Sequence, residues 1–567
     1  MLVYVTGPEN RITIEDTGFF LDFSPVEGEP GRIEVDVRPP GTPPPTFDVG
    51  VRVDARGCLG AVRMKGCTFL AIVVPPVDSI GCEDEDVEQV REVLFYCLEG
   101  GHLPLARTPA HPCYHLRKIL TDGSFYYSKT FDLTSRLATR IKAQNQLAEA
   151  CTPIARADAP EPAPTPSYHE GTREFVWNTH ILRPLRALRD SLDPQVQSAF
   201  DSRSFILPVI QGFYGASEVT LGAEKVMLAV ISRRGWARAG TRFLKRGIDD
   251  AGNVANFAET ETILQTRDKT LSFVQVRGSV PLIWTEVPHW HGPVEVHLTE
   301  PVDAVSLPPL LSHFRWLVKE YSEVHIYNLL SDLPTGSLAA EALLGQAYSA
   351  ILSLAQAKDP NLADKVIYEA HSIHKDEMVS GGLARVPDII AQDLEPHVTE
   401  FGATIARVDA LTGKYSLLAP QKGTFRVNCR DCLDRSNLGE FSISTAMLAQ
   451  QCQKLGLPSF RGSALETLHR KLFADSGDAL AMIYAGSGTI SGSFVRTGKT
   501  TARQMAENAA NSEKREIQAL LHDKDKNRAT EILTGQYKKS EPPPVFVIKA
   551  PSRPSRGTKS APRLRLF

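Results

Sequence analysis

Within Cys429-Arg430-Asp431-Cys432-Leu433-Asp434-Arg435 stand two cysteines, two aspartates and two arginines. Residue types at this density can do four things. A zinc clip needs further soft ligands at similar spacing, and no second C-x-x-C pair occurs in the chain. A redox dithiol opens a helix in a nearly neutral surround, where Asp431 opposes the thiolate. Two core cysteines are the ordinary fate of free thiols, but they do not sit among Arg426, Arg430, Asp431, Asp434 and Arg435. The fourth reading takes Cys429 and Arg435 as the ends of a Cys-x5-Arg loop that attacks phosphorus.

Such a loop needs a strand before it and a helix after it. GTFRVN, 423–428, reads as the strand, and a helix is expected from near Ser436 or Asn437 through EFSISTAMLAQQCQKLG. Successive N–H groups of the loop then converge above a helix N-terminus, where a tetrahedral phosphate fits. The same setting lowers the thiol pKa from ~8.5 to about 4–6, so Cys429 is a nucleophile at neutral pH. Arg435 brings a planar fork that grips two phosphate oxygens, and its interaction strengthens as charge spreads over them in the transition state. Ser436 can donate to the sulfur when it leaves. Asp431 and Asp434 each can serve as general acid and later base, the other one being structural. Sulfur supplies the nucleophile, so neither metal nor cofactor is expected.

The whole chain must carry this loop. Its 567 residues exceed one ordinary core, and its 42% hydrophobic and 23% charged residues read as soluble and globular. A net charge of -3 gives no global argument for nucleic acid or an anionic membrane, so such a partner must meet a local patch. Nine scattered cysteines lack the rhythm of a disulfide framework and point to a reducing compartment. The N-terminus lacks a basic and then apolar leader pattern, and no apolar run approaches ~20 residues, so neither export nor a membrane span is expected.

Short apolar runs with Gly/Pro punctuation up to about residue 135 (LVYVT, GRIEVDV, CLGAVRM, CTFLAIVV, SFYYSKTF) predict strands, with an amphipathic helix at VEQVREVLFYCLEG. ADAPEPAPTPSY, 157–168, predicts a linker. Beyond about 175, buried strands (VMLAVIS, FILPVI, SFVQVRG, HIYNLL) mix with helical patterns such as SLAAEALLGQAYSAILSLAQA, which predicts an α/β domain. The divisions expected are 1–195, a mostly-β subdomain; 196–537, an α/β catalytic domain; and 538–567, a disordered tail. That tail carries eight Lys/Arg against Glu541 alone, with frequent prolines. Between Ser232 and Ile248 stand Arg233, Arg234, Arg238, Arg242, Lys245 and Arg246 with no carboxylate. A block so charged predicts a face for a polyanionic headgroup and an anionic bilayer, with Arg277 as a further arm.

FRVNCRDCLDRSN resembles the signature of the Sac-domain (suppressor of actin, synaptojanin-like) phosphoinositide phosphatases, R-x-N-C-x-D-C-L-D-R-[T/S]-N. FYYSKTFDLT, FVWNTHIL, FILPVIQGFY, ISRRGWARAGTRFLKRGIDDAGNVANFAETE, SFVQVRGSVPLIW and IYAGSG also look like blocks of that family, in its order. Ser436 stands for the commoner Thr, Ala258 and Thr262 for the usual Val and Gln, and IYEAHSIHK around His371 fits only loosely, with Glu369 and Ala370 where Asp and Phe are usual.

The resemblance implies an α/β fold, α+β over its whole length, with a mostly-β N-terminal Sac subdomain packed on a Cys-x5-Arg phosphatase domain over roughly 1–537. It implies a phosphatase of inositol-ring monoesters, chiefly phosphatidylinositol 4-phosphate, with the 3-phosphate and 3,5-bisphosphate also used, through a cysteinyl phosphate. Cys429, Arg435, Asp431, Asp434 and Ser436 are then the catalytic set. Arg430, Cys432, Leu433, Asn437, Arg233, Arg234, Arg238, Arg242, Arg246 and Arg277 are then the phosphate- and headgroup-binding set. The setting expected is cytoplasmic and peripheral on membranes, docked in part by the basic tail, with EPPPVF (541–546) open to a polyproline-recognising partner and no nucleic acid bound. The rivals are a catalytically silent Sac-shaped scaffold and a protein tyrosine phosphatase.

Overall fold

A computed structural model describes residues 1–6, 11–44, 51–75, 87–102, 104–150, 174–287, 295–333, 338–409, 414–490, 492–499, 511, 515 and 523–549. The expected linker at 157–168 and the tail beyond Lys549 lie outside the described residues.

An 11-stranded mixed sheet carries the α/β part. Its parallel end runs Val366–Ala370, Glu323–Asn328, Gly423–Asn428, Lys269–Arg277. It continues antiparallel through Ala258–Gln265, Glu224–Arg234 and Ile210–Leu221 to Phe125–Tyr127 and Glu88–Gln89, with Thr404–Val408 and Tyr415–Ala419 branching from Lys269–Arg277. Both faces of the parallel end are covered by helices. On one face Phe425 and Val427 pack with Leu438 and Phe441 of the helix Asp434–Lys454 and with Val386, Ile390 and Val398. On the other, Val324, Ile326 and Val276 pack with Leu310, Phe314, Leu344 and Tyr348 from the helices Val302–Tyr321 and Ala339–Lys358. Gly423–Asn428 is therefore buried at every position, as a strand sandwiched between helix layers should be.

The N-terminal part is mostly β. Gly57–Met64, Cys67–Val74 and Glu92–Cys97 form a three-stranded sheet. A six-stranded sheet runs Val545–Ile548, Arg32–Arg38, Phe19–Pro25, Arg11–Asp16, Leu2–Thr6, Val51–Asp54.

Three expectations are corrected here. VEQVREVLFYCLEG is not a helix: Glu92–Cys97 is a strand whose aromatic and β-branched residues pair along Cys67–Val74. The divisions at 195 and 537 interlace, since Phe125 pairs with Gln211 in the large sheet and Phe546 with Ile33 in the N-terminal one. Residues 538–549 are not a disordered tail. Glu541 accepts the Gly66 N–H, and Phe546 is buried 5.5 Å from the Phe23 ring, so EPPPVF is committed to the fold rather than offered as a polyproline ligand.

Candidate active site

The Cys429–Arg435 loop leaves the carboxyl end of the strand Gly423–Asn428, the edge of an open α/β sheet where ligands bind. The base of the loop is fixed from the opposite face of that strand. Arg426 is fully buried and donates to His313 Nε2 (3.2 Å), Asn428 Oδ1 (3.2 Å) and the Ser279 carbonyl (2.8 Å). Asn428 in turn donates to Asn328 Oδ1 at 2.5 Å on the neighbouring strand. At the far end, the Asn437 N–H donates to the Leu433 carbonyl (2.9 Å), and the helix Asp434–Lys454 follows.

Inside the loop, Cys432 takes a left-handed conformation (φ 54°) that is uncommon for a side-chain-bearing residue. This brings its N–H to 3.2 Å from the Cys429 sulfur, while its own thiol donates to the Cys429 carbonyl at 3.2 Å. Ser436 Oγ stands 3.3 Å from the same sulfur. Hydrogen bonding from Cys432 is the largest influence on the Cys429 thiol. With the Arg435 charge and the Ser436 hydroxyl, it outweighs burial and the Asp431 carboxylate, lowering the pKa from 9.0 to about 5. Burial pushes the Cys432 thiol well up instead, so one sulfur is a thiolate and the other a neutral donor. Burial works against the Arg435 charge, but the Cys429 thiolate and Glu341 raise its pKa. Arg435 is held bidentately by Glu341, Nη1 to Oε2 at 2.6 Å and Nη2 to Oε1 at 2.7 Å, and Nη1 also donates to the Leu329 carbonyl (3.0 Å).

Both loop carboxylates are engaged by arginines. Asp431 meets Arg246 at 2.6 Å and Arg242 at 3.3 Å. Burial alone would raise its pKa, yet Arg242, Arg246 and Arg430 hold the carboxyl well below the usual range. Asp434 accepts the Ile490 N–H and the Arg515 guanidinium, the latter at 3.0 Å.

The basic block does not form one face. Arg233 is 0% exposed and sits between Glu259 (3.0 Å) and Glu261 (2.6 Å) of the adjacent strand. Arg234 is buried, donating to Gln211 Oε1 and the Gly240 carbonyl, and Arg277 is buried beside Glu440 at 3.5 Å. The expectation that Arg233, Arg234 and Arg277 meet a headgroup is therefore corrected: all three are buried in the fold, out of reach of a ligand at the surface. Arg238 donates to the Arg246 carbonyl and braces the turn. Only Arg242 and Arg246 of the block reach the loop, where Arg246 also pairs with Glu286 (2.5 Å) and donates to the Arg430 carbonyl. The side chains of Leu433 and Asn437 are likewise used internally. Leu433 packs on Ala481, Tyr484 and Ala485, and Asn437 Nδ2 donates to the Phe473 carbonyl.

Glu341, Glu286 and Arg515 were not singled out from sequence. Each comes from a stretch remote from Cys429, with no motif around it that resembles chemistry.

A family model described as the SacI homology domain matches residues 56–377, more than half of the chain. Among similar proteins, the Saccharomyces cerevisiae polyphosphatidylinositol phosphatase INP53 is 30% identical over 94% of this chain and 48% of its own length. The Schizosaccharomyces pombe inositol-1,4,5-trisphosphate 5-phosphatase 1 is 30% identical over 85% of this chain and 43% of its own. The Danio rerio phosphatidylinositol-3-phosphatase SAC1-B is 28% identical over 74% and 65%. The chain thus spans about half the length of the first two of these relatives.

Proposed function

Because this chain belongs to the SacI homology domain family, we propose that it is a phosphoinositide phosphatase, removing a phosphate monoester from an inositol ring through a thiophosphate on Cys429. The observation that carries this reading is the Cys429 sulfur, met by the Cys432 N–H at 3.2 Å and the Ser436 hydroxyl at 3.3 Å in a loop that ends on Arg435, a setting that lowers its pKa to about 5. The thiolate attacks phosphorus and the P–O bond to the ring oxygen breaks, so the inositol alkoxide leaves with the bonding pair and takes a proton from a carboxyl of the loop. Water then attacks the thiophosphate, and sulfur departs as the thiolate that Cys432 and Ser436 stabilise. Arg435 binds the non-bridging oxygens in both steps.

Of the two loop carboxylates, Asp431 is the better placed proton donor. A phosphate bound beside Asp431 competes for its partners Arg242 and Arg246, and the negative charge of that phosphate, together with burial, raises the carboxyl pKa so that it can hold the proton the leaving alkoxide needs. Asp434 stays clamped by Arg515 and the Ile490 N–H at the helix start. The substrates are the 4-phosphate, and the 3-phosphate or 3,5-bisphosphate, of phosphatidylinositol, met peripherally at a bilayer; no helix among the described residues is long and apolar enough to cross one.

Phosphate release from short-chain phosphoinositides and from phosphotyrosine peptides, with Cys429→Ser as the blank, tests the reading. Release from the lipids alone is expected. Equal release by wild type and Cys429→Ser identifies a scaffold without turnover, and preference for the peptides identifies a tyrosine phosphatase.

A further inference from the structure

We infer that Glu341 is a positioning residue for phosphoryl transfer, selecting which edge of the Arg435 guanidinium meets the phosphate. This rests on the phosphatase reading above. Glu341 lies in the first turn of the helix Ala339–Lys358, far from the loop in sequence, and is 3% exposed. Its Oε2 accepts the Ser331 N–H at 3.0 Å as well as Arg435 Nη1, and Oε1 accepts Arg435 Nη2. Ser331 and Leu329 both follow the strand Glu323–Asn328, the neighbour of the strand that carries Cys429. One carboxylate thus ties Arg435 to the end of the adjacent parallel strand. Burial would raise the pKa of Glu341, but the Arg435 hydrogen bond and charge keep it below its ordinary value, so the tether is an ion pair at neutral pH.

The donor inventory gives the tether its meaning. A guanidinium has five N–H groups. Both on Nη1 are committed, to Leu329 and Glu341, and so is one on Nη2. Among the described residues nothing takes the Nε–H or the second Nη2–H, which lie on one edge and point the same way. That pair is the fork that binds two oxygens of a phosphate side-on. Without Glu341 the guanidinium can rotate about its flexible stem and present its end to solvent or to Asp431. The fork must be in place before phosphorus becomes five-coordinate, so its misplacement is felt more in the transition state than in the bound ground state.

Glu341→Gln keeps the volume but loses one acceptor and the charge, whereas Glu341→Asp keeps both acceptors on a shorter stem. With short-chain phosphatidylinositol 4-phosphate, Glu341→Gln is expected to lower kcat about 100-fold, the effect of a reacting group displaced by about 1 Å, with KM changed far less. Glu341→Asp is expected to recover part of that loss. A second readout needs no turnover: alkylation of Cys429 by iodoacetamide, and its protection by orthovanadate or inorganic phosphate. Glu341→Gln should weaken protection by vanadate, which mimics the transition state, more than protection by phosphate.

The inference is overturned if folded Glu341→Gln retains kcat within about twofold, or if it loses protection by both anions equally together with a lowered melting temperature. If wild type turns over no lipid, the phosphatase reading fails by itself, and the protection assay still decides the role of Glu341. Should Glu341→Gln fail to fold, Glu341→Ala, which removes both acceptors, carries the same comparison, and protection equal to wild type for both anions refutes the tether.

Discussion

Replacing Ser436 with Ala removes one support of the Cys429 thiolate and leaves the rest in place. The hydroxyl lies 3.3 Å from the sulfur, while the Cys432 N–H at 3.2 Å and the Arg435 charge remain. A hydrogen bond to a charged group contributes about 1.5–3 kcal/mol, and a long contact to sulfur belongs at the lower end. About 1.4 kcal/mol is one pKa unit, so the thiol should move from about 5 to about 6. At pH 5 the thiolate fraction then falls from about one half to about one tenth, whereas at pH 7 both proteins stay about nine-tenths ionised or more. The assay is the rate of Cys429 alkylation by iodoacetamide between pH 4 and pH 9, with Cys429→Ser as the control for other thiols. Cys432 does not interfere, since its pKa is raised well above the ordinary value. Superimposed profiles for Ser436→Ala and wild type would refute the hydroxyl's role. A wild-type midpoint near that of a free thiol would refute the ionised nucleophile altogether.

Asp431→Asn removes the negative charge that opposes the Cys429 thiolate, so the alkylation midpoint should move below that of wild type. If Asp431 also donates the proton, turnover of an inositol lipid should fall about 10²–10⁴-fold while an aryl phosphate with an acidic leaving group is largely spared; equal losses on both substrates would remove it as the donor. Arg233→Ala removes the buried cation between Glu259 and Glu261, leaving Glu259 with Arg136 and the Tyr321 hydroxyl and Glu261 with the Leu137 N–H and the Ser272 hydroxyl, and should cost about 3 kcal/mol in a denaturant melt, with KM of the folded protein unchanged. A raised KM with an unchanged melt would return Arg233 to the headgroup. Deleting residues 538–567 removes the strand Val545–Ile548 and the buried Phe546 ring, and should cost about 1.5–3 kcal/mol for that ring alone. An unaltered melting temperature would show the strand to be dispensable.

Local pattern was enough for the elements that carry the loop. GTFRVN is the strand Gly423–Asn428, and the run after Ser436 is helical, because a short buried apolar segment and a long helical one differ in length and composition. VEQVREVLFYCLEG misled because its apolar positions fit a helix as well as a strand, and only the free edge of Cys67–Val74 decided between them. The tail misled for a related reason: its charge and prolines describe an isolated segment, while the open edge of Arg32–Arg38 gives Val545–Ile548 a partner.

The sequence by itself determined the parts of the proposed chemistry: a cysteine and an arginine at Cys-x5-Arg spacing, a hydroxyl beside them, and a strand and helix to hold them. Those relations span a few residues, so the order of the chain contains them. Only the tertiary structure decided where the charges go. Arg233, Arg277 and Asp434 meet opposite charges from other parts of the chain, and Arg435 pairs with a carboxylate from a different helix. Burial makes each ionised group take a partner wherever the fold brings one near, and a linear pattern of charge does not record that distance.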